Sequence, residues 1–148
     1  MNRLFFLLCS TFILNCQSQS QATKVEDVQN GNDYFVGTWR FIEEIYKEGE
    51  VDKVYPLHGC TKQNTLLFEK EKGNLFLTKN YRSGKNCEIK SSSARNEVTL
   101  KGSSFNYMEA DLKESKQFKI ISKNKFSIVY SDILYGKVTD IEDTYERQ

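Results

Sequence analysis

The chain has 148 residues, with 21 basic and 20 acidic side chains and a formal net charge of +1. This balance excludes the basic stripe expected of a nucleic-acid-binding protein, so no nucleic-acid partner is expected. The length suits one domain, and the 13% content of aromatic residues suits pleated, half-buried surfaces.

The first element along the chain is an N-terminal secretion signal. Arg3 supplies a positive charge, an apolar run from Leu4 to Leu14 follows, and a polar Gln/Ser segment begins directly after Cys16. The run is too short to span a membrane and is typical of a cleavable signal peptide. We therefore assign residues 1–15 to the signal.

The residues around Cys16 indicate how the secreted chain is held. Ile13-Leu14-Asn15-Cys16 resembles the lipobox of bacterial lipoproteins, although Asn15 departs from the usual Gly, Ala or Ser. The resemblance implies cleavage before Cys16 and its acylation with fatty acids such as palmitate, and several acyl chains anchor stably. The alternative is an ordinary signal peptide with an incidental cysteine.

The residues after Cys16 predict where the anchored protein lies. Gln17 stands where Asp would retain a lipoprotein in the inner membrane, which favours the outer membrane. No acidic cluster follows, which favours a domain facing the periplasm. Residues 16–33 are polar, lack a hydrophobic period and are predicted to form the lipidated cysteine and a flexible tether. The packed domain is predicted over residues 34–148.

Short apolar runs with period two, separated by turn residues, predict an antiparallel all-β domain. The residues Asp111 to Gln117 are expected to form a helical turn or an exposed loop, and Leu57 to Asn64 a loop that carries Cys60. A closed up-and-down barrel of about eight strands removes the exposed sheet edges and has room for side chains or one small ligand. The predicted strands are 37–46, 51–55, 65–69, 75–81, 87–90, 97–101, 105–110, 118–121, 125–130 and 138–146.

Two cysteines remain in the predicted domain, Cys60 and Cys87. A secreted chain folds in an oxidising compartment, so we expect one internal disulfide between them. The alternative is a two-thiol metal or redox site, but the spacing is not that of a CxxC motif and His58 is the only histidine. We expect neither a metal nor a cofactor.

A set of short motifs carries a family resemblance over about residues 35–147. Gly37-Thr38-Trp39 opens the first strand, Cys60-Thr61-Lys62 precedes a Leu-Leu-Phe strand, and Asp143-Thr144-Tyr145-Glu146-Arg147 closes the chain. Together with Cys87 and the lipobox, these residues resemble the bacterial lipocalin-like domain of small secreted lipoproteins. The long first loop and the insertion-like segment from Tyr130 to Val138 depart from that family.

The resemblance implies a β-barrel with a hydrophobic interior and defined roles for its motif residues. Gly37 would let the chain bend tightly where a side chain would obstruct. Trp39 would plug one end of the barrel, and Arg147 would cover Trp39 by a cation–π contact. Aromatic residues are expected to line a ligand cavity, the alternative being ordinary barrel core. The candidates for this cavity are Trp39, Phe41, Tyr81, Tyr107, Phe126 and Tyr130.

The chain carries no nucleophile elbow, phosphate loop or dinucleotide motif, so we do not expect an enzyme and assign no catalytic residue. Asp140, Glu142 and Asp143 are interpreted as solvated strand residues, and His58 as a surface residue. The leading hypothesis is a membrane-anchored, non-enzymatic lipoprotein that binds a small hydrophobic ligand in its barrel. The alternative is a protein-binding envelope lipoprotein, either an enzyme inhibitor or an accessory subunit, that uses the loop Leu57 to Asn64.

Overall fold

A computed structural model describes residues 31–148 of the chain. The predicted signal peptide, Cys16 and the tether as far as residue 30 lie outside the described residues. One short helix, one 3-10 turn and ten strands make up the fold. They are α1 (Gly31–Phe35), β1 (Gly37–Glu48), β2 (Val51–Val54), the 3-10 turn (Thr61–Gln63), β3 (Thr65–Glu71), β4 (Asn74–Ser83), β5 (Ile89–Ser92), β6 (Asn96–Lys101), β7 (Ser104–Glu109), β8 (Leu112–Ser122), β9 (Lys125–Leu134) and β10 (Lys137–Arg147).

Eight of the ten strands form a closed antiparallel barrel. The order is β1-β3-β4-β6-β7-β8-β9-β10, and β10 pairs back onto β1. The strand β2 pairs with the end of β1, and β5 pairs with the end of β4. The predicted fold class, an all-β up-and-down barrel of about eight strands with one internal disulfide, is confirmed.

Two segments differ from their sequence-based assignment. Of the residues predicted as a helical turn or loop, Asp111 lies in a turn, and Leu112 to Gln117 form the first half of β8 and pair with β7. The segment from Tyr130 to Val138 is a continuous hairpin in which β9 and β10 pair up to Leu134 and Lys137. Both segments are therefore paired strands of the sheet.

The helix α1 closes one end of the barrel. Its first three residues belong to the predicted tether, and its last residue, Phe35, is completely buried. The Phe35 ring lies 4.7–5.6 Å from four aromatic rings of the barrel wall, those of Phe68, Phe105, Phe118 and Phe126. This end of the barrel is therefore filled by aromatic side chains, and we call it the closed end.

The motif residues of β1 and β10 meet at the closed end. Gly37 has a φ of +125°, and a Cβ at this position would lie 3.1 Å from Nη1 of Arg147. The guanidinium carbon of Arg147 lies 4.2 Å from the centre of the Trp39 ring. The contacts that the resemblance implies for these residues are thus present, with Trp39 itself completely buried.

The opposite, open end carries the disulfide. Cys60 and Cys87, which are 27 residues apart in sequence, are bonded to each other. The bond ties the loop before β3 to the turn between β4 and β5. It therefore joins two connections on the rim of the open end, and the predicted pairing of the two cysteines is confirmed.

Candidate ligand-binding cavity

A cavity of about 340 Å³ occupies the half of the barrel nearest the open end. Its floor meets the aromatic core at Leu66, Leu77 and Phe105. Above the floor, the wall mixes aromatic, aliphatic and charged side chains. The lining residues there are Phe41, Asn64, Thr65, Lys79, Asn80, Tyr81, Tyr107, Glu109, Glu114, Lys116, Ile128, Tyr130, Asp143 and Tyr145.

The alternation of the strands explains why these residues face inward. On β8, Glu114 and Lys116 share a face with Phe118, which lies in the core. On β10, Asp143 and Tyr145 alternate with residues on the outer face in the same way. The inward-facing residues of one strand are therefore apolar near the closed end and polar in the cavity.

The structure separates the six candidate cavity residues into two groups. Phe41, Tyr81, Tyr107 and Tyr130 line the cavity. Trp39 and Phe126 lie in the aromatic core at the closed end, where their ring centres are 4.8 Å apart. Both are completely buried and pack against Phe35, so they do not form part of the cavity wall.

Two ion pairs lie in the cavity wall. Nζ of Lys79 on β4 lies 2.7 and 2.8 Å from the two carboxylate oxygens of Glu109 on β7. Nζ of Lys116 lies 3.2 Å from a carboxylate oxygen of Glu114. Each of these two lysines therefore has an acidic partner within the wall.

A third carboxylate, that of Asp143, has different surroundings. The Tyr130 hydroxyl donates a hydrogen bond of 3.2 Å to Oδ2 of Asp143. Oδ1 is shielded from solvent and has no hydrogen-bond partner among the described residues. Directly across the strand pair, Glu44 of β1 is the register partner of Asp143.

These surroundings change how the cavity residues titrate. Burial, and then the nearby charge of Glu44, raise the pKa of Asp143 to about 7. Burial also raises the pKa of Glu44. Burial is the main cause that raises the pKa values of the Tyr130 and Tyr145 phenols, which stay protonated at neutral pH.

The charged residues of the cavity were not among the sequence-based candidates. The sequence assigned Asp143 to a solvated strand, which is wrong because its carboxylate faces the barrel interior. The sequence signal for Asp143 is strand alternation, because Asp143 lies on the same face of β10 as the buried Ile141 and as Tyr145. In the same way, Glu114 and Lys116 lie on the same face of β8 as Phe118.

The open end also carries the loop from Leu57 to Asn64. A second, more open depression beside it is lined by four basic side chains, those of Arg40, Lys62, Arg82 and Lys90, together with polar residues. His58 is exposed, and its Nδ1 accepts a hydrogen bond of 3.2 Å from the main-chain N–H of Cys60. Protein binding by this loop stays a prediction.

Residues 31–148 contain no helix long and apolar enough to cross a membrane. Within the same range, no three His, Cys, Asp or Glu side chains are grouped so that they could hold a metal ion.

Comparison with known proteins finds likenesses among solved structures. No protein-family model matches the chain, and no curated protein matches it. Among solved structures, the chain is similar to the crystal structure of the possum milk whey lipocalin trichosurin at pH 4.6 with bound 4-ethylphenol. The sequence identity is 14%, the TM-score is 0.43, and the match covers 74% of this chain and 73% of that chain.

Proposed function

We propose that this protein binds a small, mainly hydrophobic molecule inside its barrel and is not an enzyme. The observation that carries the proposal is the cavity of about 340 Å³ between an aromatic floor and an open rim. Ligand sites in proteins are concave and mostly apolar, with a few polar groups that orient the ligand. Four tyrosines, two phenylalanines and three aliphatic side chains provide that apolar surface.

The rigidity of the barrel supports a preformed site. The eight strands close on themselves, so the wall has no free edge through which the cavity could collapse. Below the cavity, Phe35 and its four aromatic neighbours fill the barrel, which confines a ligand to the upper half. A preformed site lowers the entropic cost of binding.

A fluorescence titration with the neutral apolar dye N-phenyl-1-naphthylamine tests this function on the protein with its disulfide formed. We expect saturable binding with one dye per chain. Ile128→Trp would place an indole in the cavity and should weaken dye binding at least about tenfold, which is about 1.4 kcal/mol. Val129→Trp, at the next residue on the outer face of β9, is the matched control and should bind dye like the unmodified protein. No saturable binding, or equal loss in both variants, would contradict the proposal.

We further propose that the chain is an envelope lipoprotein held by acyl chains on Cys16, in the outer membrane and facing the periplasm. The lipobox-like segment before Cys16 and the residue after it support this placement. Mass spectrometry of the protein from its native membrane should find an N-terminal acylated Cys16. Cys16→Ser should release the protein from the membrane, whereas Cys9→Ser, within the signal, should not. An unmodified Cys16 in the mature protein would overturn the anchor.

A further inference from the structure

The positive charges of the cavity wall are already matched within it. The ammonium group of Lys79 contacts Glu109, and that of Lys116 contacts Glu114. The side chain of Lys79 is only 19% exposed, whereas that of Glu109 is 38% exposed, so the pair is shielded from water on its lysine side. After these two pairs, the acidic residue left in the lining is Asp143, which gives the wall an excess of one negative charge when its carboxyl group is ionised.

The contacts of Asp143 do not supply a counter-charge. Tyr130 on β9 donates one neutral hydrogen bond to Oδ2, and Oδ1 has no partner among residues 31–148. Glu44 on β1 faces Asp143 and adds a second negative charge. The basic group that acts on Asp143 is Lys116 on β8, and it is paired with Glu114 and lies 4.9 Å from the centre of the Tyr130 ring.

The side chains around this carboxylate suit a cation with an apolar body. Tyr130 and Tyr145 line the cavity near Asp143, and Tyr81 and Tyr107 line the wall across from them. The faces of aromatic rings attract cations, and their edges and the neighbouring aliphatic side chains accept apolar groups. A buried carboxylate with an unused lone pair is stabilised by a charged hydrogen-bond donor.

Building on the proposed function, we infer that the ligand carries a protonated amine. Its ammonium group binds the carboxylate of Asp143, and its apolar or aromatic body packs against the tyrosines of the wall. Neutral and acidic ligands of the same shape bind less well, because neither supplies the positive charge.

Calorimetric titrations with three compounds of similar shape separate these classes. The probes are 2-phenylethylamine, 2-phenylethanol and 3-phenylpropionate, each titrated into the disulfide-bonded protein at pH 8. We expect the amine to bind at least about tenfold more tightly than the alcohol, and the carboxylate to bind most weakly. Equal affinity for the amine and the alcohol would overturn the inference and leave the proposed function standing. Failure of all three probes and of the naphthylamine dye would overturn both.

Asp143→Asn tests the residue itself. The amine should lose its advantage over the alcohol, while the affinity for the alcohol changes less than about threefold. Asp140→Asn removes the same charge from the exposed face of the same strand and should keep the full preference. If Asp143→Asn does not fold, the preference of the unmodified protein is measured at pH 5.5 and pH 8. A preference that is the same at both pH values, or that survives in Asp143→Asn, would contradict the role of Asp143.

Discussion

Trp39 and Arg147 are direct partners across β1 and β10, and the guanidinium carbon of Arg147 lies 4.2 Å from the centre of the Trp39 ring. The same guanidinium donates hydrogen bonds to the carbonyl oxygen of Val36, at 2.6 Å, and to that of Tyr34. One side chain at the end of the last strand thus holds both the first strand and the chain that leads into it. These contacts stabilise the pairing of β1 with β10, which closes the barrel.

Arg147→Ala should lower the free energy of unfolding by roughly 2 to 3 kcal/mol, the sum of a cation–π contact and two hydrogen bonds. Urea denaturation followed by fluorescence of the single tryptophan measures the loss. Arg40→Ala is the control: Arg40 is half exposed and its 3.6 Å ion pair with Glu146 is on the surface, so a loss below about 1 kcal/mol is expected. Equal losses in the two variants would contradict a special role for Arg147.

Phe35→Ala should destabilise the protein by roughly 3 to 5 kcal/mol, because it removes a completely buried ring that packs against four aromatic rings of the barrel wall. Thermal unfolding monitored by near-UV circular dichroism provides the measurement. Tyr135→Ala, at a residue that is 77% exposed, is expected to change stability by less than about 0.5 kcal/mol. A near-neutral Phe35→Ala would show that α1 does not close the barrel.

Loss of the disulfide should cost roughly 3 to 4 kcal/mol, because the bond closes a loop between residues 27 apart in sequence. The double variant Cys60→Ser/Cys87→Ser and the unmodified protein in dithiothreitol should show the same reduced urea midpoint. Agreement between the two separates the loss of the bond from the effect of the serines. A urea midpoint that does not change after reduction would show that the bond does not stabilise the protein by lowering the entropy of the unfolded chain.

Asp143 should make folding less favourable as the pH rises. Its pKa is about 7 in the folded protein and near 3.8 in the unfolded chain, so the folded state holds the proton more tightly. The stabilisation is complete below pH 3.8, is lost as the pH rises to 7 and is absent above it. The loss amounts to at most about 4 kcal/mol.

Unfolding of Asp143→Asn, measured between pH 4 and pH 8, tests this dependence. The variant should gain stability relative to the unmodified protein as the pH rises, because its amide does not ionise. Asp140→Asn should follow the unmodified protein across the range. A constant difference between Asp143→Asn and the unmodified protein would show that Asp143 has an ordinary pKa.

The affinity for 2-phenylethylamine should follow the ionisation of Asp143. Below pH 7 the carboxylate must lose a proton before it can pair with the ammonium group, so affinity should rise up to about tenfold per pH unit. It should level off above pH 7 and fall near pH 10, where an aliphatic amine loses its charge. Affinity for 2-phenylethanol should not rise over the same range, and a parallel rise for both probes would contradict the assignment.

The sequence was sufficient for the strands that meet at the closed end, although it assigned the start of α1 to the tether and placed Trp39 and Phe126 in the cavity. Leu75 and Leu77 lie two residues apart on one face of β4, Gly37 marks the bend before Trp39, and Arg147 follows the last apolar alternation. Each of these features depends on neighbours in the chain or on one strand period. The strands could therefore be predicted without knowledge of the remaining packing, whereas the cation–π contact between Trp39 and Arg147 was expected because the family resemblance implies it.

The cavity could not be predicted in the same way, because its inward face is polar. The first half of β8 reads as a loop since Glu114 and Lys116 stand where an apolar alternation would continue. Their inward orientation depends on pairing with β7, which precedes them, and their burial depends on the opposite wall. Side chains continue to alternate between the inner and outer faces along this segment. Because the inward residues are charged, the pattern of apolar residues does not reveal this alternation.

The place where the chain enters the barrel has a consequence for the route of a ligand. The residues before Gly31 join the domain at the end that Phe35 closes, while the cavity opens at the rim where Cys60 meets Cys87. Under the proposed anchor at Cys16, the entrance is the part of the domain farthest from the point of attachment. A guest could then enter from the surrounding water while the closed end stays next to the tether.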